Sequence, residues 1–149
     1  MNELVAATKI ALANTFIMYF KTHSYHWNIE GIHFSQYHEF FNDIYEDVYG
    51  AIDPMAEEIR ALDSYAPISL MEMYNYKTIE EDMTRVVLIS DMLTNLQTTN
   101  DAVILSLNKV FDLATIAKEQ GLANFVADRL DKHKKHGWMI RSSLKNIGG

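Results

Sequence analysis

From Phe34 to Leu62 the apolar side chains return every three or four residues: Phe34, Tyr37, Phe41, Ile44, Val48, Ile52, Met55, Ile59 and Leu62. That is the period of a helix with one buried face, not the alternation of a strand. The stripe passes Gly50 and Pro54 without losing phase, so it predicts one long helix rather than two joined at a corner. An interior proline removes a hydrogen bond and costs roughly 3 kcal/mol, which predicts a kink near Gly50. Asp53 as the N-cap of a new helix opened by Pro54 is the alternative reading.

The same period runs through most of the chain. A first helix is expected from about Glu3 to about Asn28, stopping before Gly31. After the turn-rich "DSYAPI", Ser69 and Glu72 form a capping-box pattern that opens a short helix to about Tyr76. Thr78 and Glu81 repeat the pattern and predict the start of a third long helix. Its inner face would carry Ile79, Met83, Val86, Leu93, Leu96, Ile104, Leu107, Phe111 and Ala114, and it would end near "KEQG". A fourth helix is expected from about Leu122 to about Leu144, with "NIGG" as a frayed tail. Four amphipathic helices with a helical crossover between the second and third make an all-α four-helix bundle. The length of 149 residues suits one domain, residues 1–149.

Composition narrows the chemistry. The chain has no cysteine, which removes disulfides, thiolate metal sites and a cysteine nucleophile; any metal must be held by histidine and carboxylate. A formal charge of −7 disfavours a general attraction to nucleic acid or anionic lipid and suits a protein that draws cations. The opening "MNELVAATKIALANTFIMYF" begins with an acid and is broken by Thr8, Lys9, Asn14 and Thr15, so it reads as neither signal peptide nor membrane span, and a cytoplasmic protein is expected. No phosphate-binding glycine loop, G-x-S-x-G or H-E-x-x-H occurs.

Six histidines remain to be placed. His133 and His136 are spaced to share an ion, but flanking lysines oppose a cation there. The reading favoured is a hydrogen-bonded core His133 with His136 on the helix surface. A di-iron centre inside one bundle needs a Glu-x-x-His pair from each of two helices. The single match, Glu30 to His33, spans Gly31 in a loop. What is left is His26 at the end of the first helix, and His38, Asp53 and Glu57 along the second. At 1.5 Å per residue His38 and Asp53 are roughly 22 Å apart, whereas ligands of one ion lie within about 2.2 Å of it. Two copies of the long helix, antiparallel about a twofold axis near Tyr45 and Glu46, would bring His38 of one chain to Asp53 of the other and create two equivalent sites.

"HWNIEG", "FSQYHEFFNDIYEDVYGAIDPMAEEIRAL" and "ANFVADRLDKHKKHGWMIRSSL" together resemble the Dps family of miniferritins along nearly the whole chain. The resemblance implies a ferritin-like bundle assembled as a hollow dodecamer of twofold dimers, with the short helix at the dimer interface. It implies a ferroxidase that oxidises Fe(II), preferably with hydrogen peroxide, and stores ferric mineral against oxidative stress. Iron would be held by His26 and His38 of one subunit and Asp53 and Glu57 of the other, as a di-iron or mononuclear centre. Where many relatives carry a further acid this chain has Asn42, an uncharged and poor ligand, which favours the alternative of a structural or DNA-shielding cage with a weakened iron centre. A zinc- or manganese-dependent interaction module is a third reading. Trp27, beside His26, resembles the family's aromatic neighbour that can take up an oxidising equivalent, with interface packing as its plainer role. Glu39 and Asp43 are either inward nucleation carboxylates or a solvated acidic face. Twelve such chains carry about −84, which would draw Fe(II) inward. The start holds only Lys9 and the end is "RSSLKNIGG", so no basic arm is present and DNA binding is expected to be weak or absent.

Overall fold

In a computed structural model that describes residues 2–145, the chain forms α1 (Asn2–Asn28), α2 (Phe34–Gly50), α3 (Ile52–Ala61), α4 (Leu70–Tyr76), α5 (Ile89–Ile116) and α6 (Gln120–Leu144). α1 packs against α2, α3 and α5, and α5 packs along α6, so the long elements surround one interior. Leu12, Met18, Phe41, Ile44, Met55, Ile59, Met92, Leu93, Leu96 and Leu107 are fully buried there. α1 is long and apolar enough to cross a membrane by length and composition. Its Leu4, Ala11, Leu12, Ile17 and Met18 instead line the bundle interior.

The stripe from Phe34 to Leu62 keeps its phase, but the helix is interrupted at Ala51. Ala51 keeps right-handed helical dihedrals, its N–H bonds to the Val48 carbonyl, and its own carbonyl accepts from Met55. Pro54 therefore sits in the first turn of α3, where its missing N–H leaves no partner unsatisfied. Ala51 is the residue at the N-cap position, and Asp53 lies in the first helical turn beside the positive end of the helix dipole. The interruption at Ala51 and the helix start are one feature.

The third long helix begins later than the Thr78 and Glu81 pattern suggests, at Ile89. Asn14, fully buried on α1, explains the difference. Its side-chain oxygen accepts from the Thr78 N–H at 2.9 Å and its amide donates to the Thr78 hydroxyl at 2.9 Å, so Thr78 is tied to α1 instead of capping a helix. Downstream, Asp82 accepts from the Tyr25 hydroxyl at 2.6 Å and pairs with Lys21 at 3.5 Å, and Arg85 donates to the Asn28 side chain. These contacts hold residues 78–88 along α1 as an irregular strap, in which Ile79 is buried and Met83 is exposed. The short α4 does form on the Ser69 and Glu72 pattern: the Glu72 N–H donates to Ser69 Oγ at 3.1 Å, while the Glu72 carboxylate accepts from the Ile68 N–H. None of its residues is buried, and Leu70, Met71 and Tyr74 face outward. "NIGG" lies outside the described residues.

Candidate metal centre

α1 ends at Asn28, Gly31 takes a φ of +115° that side-chain-bearing residues rarely adopt, and α2 begins at Phe34. This tight reversal sets the last turn of α1 against the start of α2. His26 and His38 then bond reciprocally. His26 Nδ1 donates to the His38 carbonyl and His38 Nδ1 donates to the His26 carbonyl, each at 2.7 Å. A carbonyl can only accept, so both rings carry a proton on Nδ1, and in the neutral imidazole the free lone pair is on Nε2. The rings stack at 3.7 Å between centroids and 16° between planes, with Phe34 stacked on the other side of His38 at 4.7 Å. Two oriented imidazole lone pairs result, with the backbone acting as the outer shell that fixes the ligand tautomer.

Asp53 and Glu57 are exposed, one turn apart on α3. Glu57 hydrogen-bonds to Asp53 and is pushed up by that neighbour, first through the hydrogen bond and then through its charge. A cation held between the two carboxylates would relieve that effect on Glu57. The structure brings His26 to His38 and Asp53 to Glu57, but not one pair to the other: among the described residues no three His, Cys, Asp or Glu converge. Asn42, one turn after His38 on α2, is half-buried, and Glu39 and Asp43 are exposed.

The other histidine pair has a different fate. His133 is fully buried, as the sequence suggested, but His136 is buried too, against the expectation of a surface position. The reason is Asp47 on α2, which sequence spacing did not single out. Arg129 grips both Asp47 oxygens at 3.0 and 2.9 Å, and His136 Nε2 lies 2.6 Å from one of them. His133 Nε2 accepts from Arg129 at 3.0 Å. Its Nδ1 donates to the Asn100 side-chain oxygen at 2.9 Å, and the Asn100 amide returns a bond to the His133 carbonyl. Burial alone would raise the Asp47 carboxyl, but bonds from His136 and Arg129 outweigh it and hold the group well below the usual carboxylate range. Burial, and then the Arg129 charge, push His133 well below its ordinary value, so it stays neutral. With both ring nitrogens engaged, His133 is a strut between α5 and α6 and is closed to a metal.

A ladder of aromatic rings adjoins the open histidines. Tyr45 on α2 lies 5.2 Å from His26 and stacks on His23 at 3.8 Å and 9°. His23 also packs on Trp27 at 4.1 Å, and its Nδ1 is 2.9 Å from the Tyr19 hydroxyl. Tyr19 in turn meets Tyr49 at 4.9 Å. Trp27, Phe20, Tyr49 and Phe34 leave a large apolar area of α1 and α2 exposed.

A four-helix bundle whose histidines and carboxylates stand ready but apart is a ferritin-type scaffold, and the ferritin-like domain model matches residues 5–148. The chain belongs to the ferritin-like family, and its sequence and structural neighbours include Dps proteins. It is 27% identical over 136 residues to the DNA protection during starvation protein of Brevibacillus brevis, covering 90% of this chain and 89% of that one. A low temperature-induced protein of Nostoc is 30% identical across 90% of this chain and 75% of its own length. Among solved structures, the Dps protein of Vibrio cholerae superposes with a TM-score of 0.90 at 26% identity, covering 97% of this chain and 90% of that one. That protein is described as one of the ferritin-like diiron-carboxylate proteins.

Proposed function

We propose that this chain is a ferroxidase and iron store, a single ferritin-like domain that assembles through twofold dimers into a dodecameric cytoplasmic cage. The observation that carries the reading is the reciprocal lock of His26 and His38, stacked rings whose Nε2 atoms have no hydrogen-bond partner among the described residues. Fe(II), the substrate, would be held by these nitrogens and by Asp53 and Glu57 of the partner subunit. The exposed aromatic face of α1 and α2 and the unburied apolar residues of α4 are the kind of surface a partner covers. Imidazole and carboxylate donors suit iron. The two negative charges favour Fe(III) over Fe(II), so oxidation is eased at the site. Hydrogen peroxide takes one electron from each of two Fe(II), its O–O bond breaks, and two protons complete two waters. The exposed acids Glu39 and Asp43 are available to the ferric product.

Asn42 supports a second reading, a cage of structural role with a weakened iron centre, because it sets an uncharged amide one turn from His38. Anaerobic Fe(II) loading followed by peroxide separates the two. Rapid Fe(II) oxidation by the wild type, lost in His38→Ala at unchanged helix content, supports the ferroxidase; equal behaviour of the two proteins removes it. With a formal charge of −7 on the chain, no retardation of duplex DNA is expected at physiological salt.

A further inference from the structure

His133 and His136 stand three apart on α6, a spacing that lets two imidazoles share an ion, and Asp47 reaches them from α2. Two imidazoles and a carboxylate are donors that suit zinc, iron and cobalt. The lysines that flank the pair are exposed, and Lys135 is taken by Asp131 at 3.2 Å, so they do not oppose an ion in the interior. The charge that does is Arg129, which is 5% exposed.

The three donors do not meet at one point because a guanidinium lies among them. Arg129 Nη2 is 2.9 Å from Asp47 Oδ2 and 3.0 Å from His133 Nε2, and the same Asp47 oxygen is 2.6 Å from His136 Nε2. The donor directions follow from chemistry. A guanidinium only donates, so His133 Nε2 turns its lone pair toward Nη2. The Asn100 amide donates to the His133 carbonyl, which leaves its oxygen to accept from His133 Nδ1 and pins that tautomer. A carboxylate oxygen and an imidazole lone pair aimed at one cation are also what a metal ion requires, at about 2.0 to 2.2 Å. The cluster has further capacity: Arg129 Nε and His136 Nδ1 are buried with no hydrogen-bond partner among the described residues. His136 donates its Nε2 proton to Asp47, so in the neutral ring Nδ1 keeps a lone pair that Arg129 does not use.

We propose that Arg129 is the resident cation of a latent metal site, with Asp47, His133 and His136 as its donors, and that its guanidinium keeps divalent transition metals out of the bundle interior. An ion from solution has to displace a group that is always charged and is tethered to the same fold. Without that side chain, the half-buried Asp47 loses its counter-charge and His133 regains a free lone pair. A divalent ion supplies the charge, and the room left by the guanidinium lets the donors close in on it. The inference uses none of the residues of the proposed iron centre and does not rest on the ferroxidase reading. Where both hold, Arg129 is a specificity residue that directs Fe(II) away from the interior and toward the subunit interface.

The test is made in a His38→Ala parent, so that metal held at the proposed inter-subunit centre is not counted. Co(II) is the probe of ligation, because its visible spectrum reports nitrogen and oxygen donors, and Zn(II) is the probe of stability. Arg129→Ala in this parent should bind one Co(II) per chain more than the parent does, with a new visible band that disappears when His133→Gln is added. Zn(II) should raise the urea midpoint of Arg129→Ala and leave that of the parent unchanged. Arg129→Lys, which keeps the charge, should take up no more Co(II) than the parent. If Arg129→Ala is unfolded without metal, recovery of its helix content on refolding with Zn(II) supports the site. Arg129→Gln, which retains an amide to bond Asp47, is the second variant. If both variants fold and bind no more Co(II) than the parent, or if neither folds with or without Zn(II), no ion can replace the guanidinium and the inference falls. Equal uptake by Arg129→Lys and Arg129→Ala, or a Co(II) band in the parent that His133→Gln removes, overturns the exclusion.

Discussion

The chain carries two histidine pairs, and they show what separates a strut from a ligand. His133 and His136 face Asp47, Arg129 and Asn100 in the bundle interior, and His133 has a partner on both nitrogens. His26 and His38 are fixed just as firmly, but through Nδ1 alone, against each other's backbone. Rigidity is common to both. The difference is at Nε2, which has no hydrogen-bond partner among the described residues on either ring; in the proposed ferroxidase the remaining ligands come from a partner subunit. A sealed network stabilises the fold, while an oriented and incomplete one creates a requirement for something else.

The largest effect that would sharpen this contrast is on catalysis. Asp53→Asn with Glu57→Gln should slow peroxide-driven Fe(II) oxidation by at least about 100-fold, since even outer-shell changes at metal sites cost 10–100-fold. The thermal midpoint of the same variant should not fall, because both side chains are exposed and Asp53 disfavours the ionised form of Glu57. A variant that melts markedly earlier would show the carboxylates to be structural. The converse holds for Arg129→Leu. It strands the half-buried Asp47 beside His136 and should cost about 3 kcal/mol in urea unfolding. Iron oxidation by the folded fraction should persist, and its loss would couple the two networks.

A smaller effect concerns Asn42. Restoring a carboxylate with Asn42→Asp should tighten Fe(II) binding several-fold by titration calorimetry and raise the stoichiometry per site. No change would mean that position 42 does not face the ion. The smallest effect expected is on pH dependence. His133 is depressed below its ordinary 6.5, so its contribution to stability is complete above that pH and is lost as the pH falls below it. Asp47, also depressed, adds a contribution that is complete above about pH 4 and fades at lower pH. The urea midpoint should therefore decline from about pH 6.5 downward, and His133→Gln should flatten the upper part of that decline. An unchanged slope would place the titrating group elsewhere.

Much of this was legible in the residues because it is local. Helical period located α1, the α2 and α3 stripe, α4 and α6, and the Ser69 capping pattern formed as written. What escaped was non-local. The Thr78 pattern looks like a helix start, yet Asn14, 64 positions away, takes both of its polar groups. Asp47 and Arg129 are separated by 82 positions, and no spacing rule connects them; His136 was misplaced on the surface for that reason. Tyr19 and His23, four apart on α1, did carry a signal, since that interval puts a phenol and an imidazole on one helical face. Proximity to Tyr45 on α2 required the fold.

If one chain supplies the imidazoles and another the carboxylates, two inactive variants mixed together should complement each other. His38→Ala and Asp53→Ala chains, each inactive alone, are dissociated and reassembled together, and Fe(II) oxidation is measured. In a mixed twofold dimer one of the two sites regains a full set of ligands, so random pairing should recover about a quarter of wild-type activity. A mixture that stays as inactive as its components, while forming mixed assemblies, would contradict the claim.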